Sequence, residues 1–282
     1  MKITTTLVYK FNRLLKYISS LNIMDTSKSI DFLLNNNCSL ARYGDGELNI
    51  MMGGDIHFQK YDIGLSERLK KILVSSDNSY LEIGIPLAIN TVKGYRKEVQ
   101  DFWNMNMDTG RVHWIRFCGR KRSFLNASLT RCYIDYEEKN MSRLWFKSLT
   151  KLWERKNILI VEGQNSKLGV NNSLFSNANN INRIICPSEN AWSAYESIIL
   201  AVLKSAKNYD LILASLGPTA TVLADDVSRK GYRIVDIGHL NLEYNKFIEE
   251  GGLDNLNRTI INESMYKEQI IMLINADKSE VL

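Results

Sequence analysis

The amino-acid sequence predicts an α/β fold, a Rossmann-like and mostly parallel sheet flanked by helices. Short apolar runs that end near Gly or Pro alternate with amphipathic segments of helical length. Strands that alternate with helices in this way form βαβ units around a parallel sheet. Only three Pro residues occur, and no Gly/Ser linker or repeat divides the chain. We therefore expect one compact domain.

The apolar runs and the amphipathic segments give the individual elements. Six runs are predicted strands: 40–43, 80–85, 158–161, 183–186, 211–216 and 233–237. Four segments are predicted helices: 27–36, 65–74, 190–204 and 218–230. Ser27 is the expected cap of the first helix, and Pro218 and Gly231 mark the start and the stop of the last.

Three regions follow from this pattern. Residues 1–24 read as an amphipathic helix, 25–255 as the α/β domain, and 256–282 as a C-terminal helix and tail. The segment 90–140 is aromatic and basic. It is either an insertion that covers the site or a helical part of the core, and the sequence leaves both readings open.

Composition limits the class of protein. The 282 residues are 45% hydrophobic and 24% charged, which is ordinary for a globular protein. The net charge of +5 fits an anionic substrate or a membrane surface. The sequence has no block of Lys and Arg of the kind that would indicate a nucleic-acid partner. The four Cys are widely spaced and the three His lack zinc-ligand spacing, so we expect free thiols in a reducing cytoplasm.

The N-terminus mixes lysines and arginine with apolar residues. It has neither a long apolar core nor a small-residue cleavage site, so it does not read as a signal peptide. No stretch approaches the roughly 18 apolar residues of a spanning helix. A basic amphipathic helix is compatible with contact at the inner face of a membrane, but the favoured reading is a helix docked on the protein body.

The segment Arg42-Tyr43-Gly44-Asp45-Gly46-Glu47 follows the first predicted strand. Hard cations such as Mg²⁺ or Mn²⁺ are commonly held by one or two carboxylates plus substrate phosphates, and Asp45 and Glu47 offer two carboxylates. Arg42 offers a fork for phosphate or carboxylate. Asp-Gly is also a common turn, and the chain carries a second Asp-x-Glu at 135–137, so the pattern by itself does not separate a metal site from a turn.

A polar loop follows the strand predicted at 158–161. It contains Glu162, Ser166, Lys167, Gly169 and Asn172, which offer backbone N–H groups, a hydroxyl and one cation to a nucleotide. It contains neither a P-loop nor a Gly-x-Gly-x-x-Gly motif. An ordinary surface loop remains the alternative.

Two further segments follow predicted strands, where ligands bind in open α/β sheets. Pro218 and Thr219 start a helix whose free N–H groups suit an anion, unless this is only a capped turn. His239 and Glu243 are four residues apart and share a face if that stretch is helical. They are candidates for a base with its orienting partner, for a metal ligand, or for structural residues.

Together these segments resemble a family of bacterial glycosyltransferases of the GT-D fold, first known as a domain of unknown function. The matching pieces occur in the family's order: 42–47, 162 with 168–170, 185–191, 216–220, and 236–239 with 243–244. The resemblance runs from about residue 25 to about residue 250 and implies a GT-D-type sheet. It implies an enzyme that needs a divalent cation and a UDP-sugar, and that elongates a glycan on a bacterial surface protein or polysaccharide.

The resemblance also implies roles for residues. Asp45 and Glu47 would serve the Mn²⁺ or Mg²⁺ and the diphosphate, and Arg42, Lys167 and the helix start at Thr219 would hold phosphate or ribose. The motif's Gly44 and the loop residues Glu162, Ser166, Gly169 and Asn172, with Pro218, would line the nucleotide-sugar site. If transfer inverts the anomeric centre, Glu243 is the first candidate for the base and His239 the second.

The chain departs from the family pattern in the loop after 162. Lys167 stands where Arg is usual, and Asn171-Asn172-Ser173 replaces Gly-Asn-Asp. These differences bear on donor contacts. Two other functions stay open on the sequence: a metal-dependent phosphohydrolase or nucleotidyltransferase that uses the same carboxylates, and a non-catalytic partner of another transferase.

Overall fold

We describe a computed structural model, which covers residues 2–18, 20–75, 77–119, 122–252, 263–275 and 279–280. The strands are β1 (Asn22–Ile23), β2 (Ser39–Arg42), β3 (Leu81–Ile85), β4 (Ser123–Asn126), β5 (Asn157–Gly163), β6 (Asn180–Cys186), β7 (Leu211–Ser215), β8 (Ile234–Asp236), β9 (Ile270–Ile274) and β10 (Ser279–Glu280). The helices are α1 (Lys2–Ile18), α2 (Thr26–Asn35), α3 (Asp45–Met51), α4 (Ile63–Val74), α5 (Lys97–Cys118), α6 (Ser142–Thr150), α7 (Tyr195–Ala206), α8 (Pro218–Ser228), α9 (Leu240–Glu249) and α10 (Glu263–Glu268).

The described strands form one sheet in the order β1-β4-β3-β2-β8-β7-β5-β6-β9-β10. The first nine pair in parallel, and β10 runs antiparallel to β9 at the edge. The predicted α/β class and mostly parallel sheet are confirmed, and each of the six predicted strands is present.

Four strands escaped the prediction. β1 and β10 have two residues each, and β4 (Ser-Phe-Leu-Asn) carries little apolar signal. β9 reads Ile-Ile-Met-Leu-Ile, a run typical of a buried strand, yet it falls in the segment for which we expected a helix and tail. The helix occurs as α10, and β9 then extends the sheet beside β6.

Helices cover both faces of the sheet. Side chains of a strand alternate between faces, and Leu159 and Val161 enter one buried cluster while Ile158 and Ile160 enter the other. The first core cluster takes residues from α3, α4, α5, α7 and α8. The second takes residues from α2, α6, α9 and α10.

The aromatic middle segment is part of the core. In α5, the side chains of Trp103, Met107 and Trp114 are buried in the first core cluster. The helical reading of 90–140 therefore describes this helix, while Ala127 and Thr130, which follow β4, lie at the carboxyl ends of the strands, where they accept from Arg42. None of the described helices is both long and apolar enough to span a bilayer.

Local signals explain the helix starts. Asp25 and Asp62 cap α2 and α4 by accepting bonds from the backbone N–H groups of Lys28 and Leu65. The cap of α2 is thus two residues before the predicted Ser27. α8 begins at Pro218 as predicted, because proline lacks the N–H that the first helical position leaves unpaired.

Candidate active site

A crevice opens where the connections after neighbouring strands diverge. The chain leaving β2 enters α3 on the face of the first core cluster, and the chain leaving β8 enters α9 on the face of the second. β7 and β5 diverge in the same way, into α8 and into the loop 163–173. Ligands of open α/β sheets bind at such points, so the candidate site lies at the carboxyl ends of β2, β8, β7 and β5.

Arg42 ties the floor of this crevice together. Its Nη1 donates to Ala127 O (3.0 Å) and to Thr130 Oγ1 (2.6 Å), and its Nη2 donates to Asp236 Oδ1 (3.1 Å). The side chains of Arg42 and Asp236 are 14% and 6% exposed, so the pair is largely desolvated. The predicted phosphate fork therefore uses its terminal nitrogens within the protein, and its buried Nε has no hydrogen-bond partner among the described groups.

The position of Gly238, beside the Arg42–Asp236 pair, requires glycine. Its φ of +43° lies in the left-handed region, and a Cβ there would overlap Arg42 Nη2. Its N–H donates to Asp236 Oδ1 (3.0 Å). The turn after β8 thus holds the carboxylate that the guanidinium needs.

Asp45 and Glu47 lie in the first turn of α3 rather than in a free turn. Gly44 is the N-cap, and its N–H donates to Glu47 Oε2 (2.6 Å). Asp45 is exposed and Glu47 half-buried. Carboxylates in this position are favoured by the helix dipole and by the unpaired N–H groups.

Negative charge accumulates at this point. The pKa of Glu47 is raised to about 7, chiefly by burial and also by the charges of Asp236 and Asp45, while the bond from Gly44 N–H opposes the shift. A cation would favour the ionised carboxylates. Among the described residues, no group of three or more His, Cys, Asp or Glu side chains is arranged to hold a metal ion. The donor set therefore fits a cation shared between two carboxylates and a ligand's phosphates, and does not form an all-protein cage.

His239 directly precedes α9 and is exposed. Partial desolvation and then the positive charges of Arg42 and Arg131 lower its pKa, against the opposing charges of Asp236 and Asp45. The imidazole is therefore neutral at neutral pH, the state that accepts a proton.

Glu243 lies one turn further along α9 and is fully buried. Its Oε2 accepts from the backbone N–H groups of Tyr133 (2.9 Å) and Ile134 (2.7 Å), and its Oε1 has no hydrogen-bond partner within the described part of the chain. Burial raises its pKa, against these two bonds and the charge of Arg131. The predicted shared face of His239 and Glu243 exists, with one side chain open to solvent and the other inside.

Arg131 is a site residue that sequence reasoning missed. It makes two bonds of 2.7 Å to Asp135, and its Nη2 lies 3.9 Å from Glu243 Oε1. The hydrogen bond to Asp135 raises its pKa, and the charges of Glu243 and Asp45 add to this. The available signal was the Arg–Asp spacing of four residues, in a stretch where Asp135 read only as part of a chance Asp-x-Glu.

The loop after β5 is held from below. Glu162 is fully buried and accepts from Arg183 Nη1 (2.5 Å) and from Leu168 N–H (2.8 Å), while Arg183 Nη2 donates to Leu168 O (2.8 Å). Glu162 thus anchors the loop, and Ser166 and Lys167 lie on its more exposed side.

The same loop is tied to α9. Asn241 Oδ1 accepts from Gly169 N–H (2.9 Å) and from Asn172 Nδ2 (2.8 Å), which also donates to Asn245 Oδ1 (2.6 Å). Asn172 is therefore engaged within the protein. This polar contact connects the predicted nucleotide loop with the helix that carries Glu243.

The start of α8 completes the crevice. Pro218 and Thr219 are buried, and Thr219 Oγ1 has no hydrogen-bond partner among the described groups. Thr221 Oγ1 donates to Arg42 O (2.8 Å), so α8 is fixed to the end of β2. The structure thus gathers Arg42, the two carboxylates of α3, His239 and the α8 start at one edge, and gives Glu162 and Asn172 supporting contacts.

This architecture matches a known family. The family model for the glycosyltransferase GT-D fold matches residues 40–264, most of the chain. The chain belongs to the GT-D-fold glycosyltransferase family. The structure of a glycosyltransferase (DUF1792) from Streptococcus sanguinis is 34% identical and superposes with a TM-score of 0.84 over 91% of this chain and 100% of that one.

Two curated relatives of this GT-D chain come from streptococci. The probable glycosyl transferase Gly of Streptococcus gordonii is 39% identical over 227 residues, which are 80% of this chain and 33% of that protein. Glycosyltransferase GlyD of Streptococcus pneumoniae serotype 4 (strain ATCC BAA-334 / TIGR4) is 34% identical over 229 residues, 81% of this chain and 28% of that protein. The chain thus spans about a third of the curated relatives it matches.

Proposed function

We propose that the chain transfers a hexose from a UDP-sugar to the glycan of a bacterial surface glycoprotein or polysaccharide, with the help of Mn²⁺ or Mg²⁺. The observation that carries this proposal is the meeting of the α3 carboxylates and the α8 start within a GT-D fold. Asp45 and Glu47 supply negative charge for a cation, and α8 supplies backbone N–H groups for an anion. A nucleoside diphosphate bound to a divalent cation combines both features.

Residues of the chain have distinct parts in this proposal. Asp45 and Glu47 would hold the cation, which supplies Lewis-acid stabilisation of charge on the leaving diphosphate. Lys167, Ser166 and the N–H groups at Thr219 would hold phosphate or ribose. Arg42 keeps the strand ends in place through Asp236 and acts as a positioning residue.

The acceptor hydroxyl must lose a proton if transfer inverts the anomeric centre. We assign this proton to Glu243 Oε1, because no described residue makes a hydrogen bond to this carboxylate oxygen and a raised pKa suits a base near neutral pH. A small shift of the segment 131–135 must open the path to it. His239 is exposed and neutral, so it is the second candidate.

The test is UDP release from UDP-glucose, UDP-galactose and UDP-N-acetyl sugars with Mn²⁺ and a glycan acceptor. We expect Glu47→Gln to reduce transfer at least 100-fold while the protein stays folded, because one cation ligand loses its charge. Glu137→Gln removes an exposed carboxylate from the second Asp-x-Glu and should leave the rate unchanged.

Three outcomes would contradict the proposal. Full activity in EDTA would show that transfer does not need a divalent cation. Release of pyrophosphate, or donor hydrolysis that no acceptor suppresses, would indicate a nucleotidyltransferase or a phosphohydrolase. A chain that binds no UDP with or without Mn²⁺ would point to a non-catalytic partner.

We also propose that α1 contacts an anionic membrane surface. Leu7, Phe11 and Leu14 follow helical spacing and are 61%, 51% and 55% exposed, while Leu15 packs inward and α1 rests on α5. Lys10 and Lys16 on the same helix are exposed and suit anionic headgroups. Co-sedimentation with vesicles containing phosphatidylglycerol should fall for Phe11→Glu, and equal binding by both proteins would contradict this contact.

A further inference from the structure

The loop between α3 and α4 crosses the carboxyl ends of β7 and β6. Phe58 O accepts from Asn190 N–H (2.8 Å), and Lys60 N–H donates to Asn190 Oδ1 (2.8 Å). Gln59 Oε1 accepts from Trp192 N–H (3.3 Å). These bonds fasten Phe58 and the two residues after it to the segment after β6, so the backbone that carries the ring is held in place.

The ring of Phe58 lies on Gly217, the N-cap of α8. A Cβ at Gly217 would overlap the ring edge, and the φ of +54° also favours glycine. The ring is only half-buried and packs on neither core cluster, whereas its neighbour Ile56 packs on the first. An aromatic side chain held rigidly outside the core leaves apolar surface for a ligand.

The place of this ring follows from the order of the strands. The carboxylates of α3 lie after the end of β2, and the start of α8 lies after the end of β7. Asn190, which bonds to Phe58 and Lys60, lies beyond the end of β6. A nucleoside diphosphate with its phosphates between Asp45 and Thr219 extends its base towards β5 and β6. Phe58 lies on this path, on the same rim as α3 and α8.

We propose that Phe58 is the wall on which the nucleobase of the donor stacks. This inference rests on the proposed function, and it names the residue that recognises the nucleoside rather than the phosphates. Bases stack on aromatic rings irrespective of their hydrogen-bonding edges, and loss of such a ring weakens binding about 5- to 100-fold. The ring supports the base, and the absence of a side chain at Gly217 lets the ring pack closely on the backbone.

The test compares the full chain and its Phe58→Leu variant by calorimetry with Mn²⁺, using UDP and inorganic pyrophosphate as separate ligands. We expect UDP to bind about 5- to 100-fold more weakly to the variant and pyrophosphate to bind equally to both proteins. Phe58→Trp keeps an aromatic face and should restore UDP binding. Tyr61→Leu removes an exposed aromatic ring three residues away and should leave both ligands unaffected.

Several results overturn the inference. Equal UDP affinity of Phe58→Leu and the unchanged chain would exclude stacking, and an equal loss for UDP and pyrophosphate would make Phe58 a support of the loop only. If Phe58→Leu fails to fold, the affinities of the unchanged chain for UDP and for pyrophosphate still test the inference. UDP that binds no more tightly than pyrophosphate would show that the base makes no stabilising contact. An unchanged chain that binds pyrophosphate but no UDP contradicts the proposed donor itself.

Discussion

At the scale of single residues, Glu243 is buried, accepts two backbone hydrogen bonds at Oε2, and has at Oε1 no hydrogen-bond partner among the residues that the structure describes. A buried carboxylate of this kind is costly when ionised, which is why its pKa is raised. The nearby charges have opposite effects, since Arg131 favours ionisation and Asp135 disfavours it. Such groups are concentrated at functional sites because a base must be held ready without being solvated.

The raised pKa of Glu243 predicts a pH dependence of stability. The folded state keeps this proton at pH values where the unfolded chain has lost it, so the free energy of unfolding falls as pH rises from about 4.5 through the folded pKa. Glu243→Gln retains an acceptor for both N–H groups and has no charge, so its decline over this range should be smaller. Urea unfolding between pH 4.5 and 8 measures this difference.

The control for this variant is Glu249→Gln, at an exposed position of the same helix. Its stability should follow the pH curve of the unchanged chain. Parallel curves for Glu243→Gln and the unchanged chain would show that Glu243 is not the titrating group. Transfer activity lost with UDP binding kept would support its part as the base.

At the scale of elements, the loop 163–173 depends on contacts with three parts of the chain. Arg183 of β6 reaches Glu162 at the end of β5, Leu168 in the loop, and Gln269 just before β9, to which its Nε donates (2.9 Å). Asn241 fastens the same loop to α9. The loop 163–173 is therefore positioned by a buried ion pair below it and by an amide contact beside it.

Arg183→Met should cost about 3–5 kcal/mol in the free energy of unfolding, because it leaves the Glu162 carboxylate buried without its counter-charge. Adding Glu162→Gln should recover part of this loss, since the uncompensated charge is then gone. Urea unfolding of the single and double variants measures both effects. A cost below about 1 kcal/mol for Arg183→Met would show that water or a rearranged loop replaces the pair.

At the scale of the whole molecule, the sheet consists of two parallel parts that meet where β2 pairs with β8. The ladder between them has one residue pair, Leu40 with Val235, and is reinforced by the Arg42–Asp236 ion pair and by α8. The candidate site spans this junction. A ligand that contacts both parts therefore adds to the interactions that hold them together.

UDP with Mn²⁺ should accordingly raise the unfolding temperature of the chain. At a UDP concentration about 100 times its Kd, the expected stabilisation is about 2.7 kcal/mol, which corresponds to about 5 °C for a domain of this size. Differential scanning fluorimetry with and without EDTA measures it. A shift of equal size in EDTA would show that UDP binds without the cation.

The local pattern of the sequence was sufficient to predict the six main strands, the helices α2, α4, α7 and α8, and the family. Side-chain periodicity, caps and strand-end motifs are short-range properties, so a single sequence reveals them. It placed Asp45, Glu47 and His239 at strand ends for the same reason. Only the tertiary structure decided which of these groups meet and which are engaged elsewhere.

Asp236 accepts a hydrogen bond from Arg42, which is 194 residues away in sequence. Arg183 likewise donates to Glu162, and Arg131 lies near Glu243. No sequence pattern singled out Phe58, and only the fold places its ring on Gly217. Such contacts depend on strand order and packing, which no local spacing encodes. The sequence by itself therefore determined the class of fold and the edge of the sheet that carries the candidate site, while long-range packing determined which candidate side chains are exposed at that edge and which are engaged within the protein.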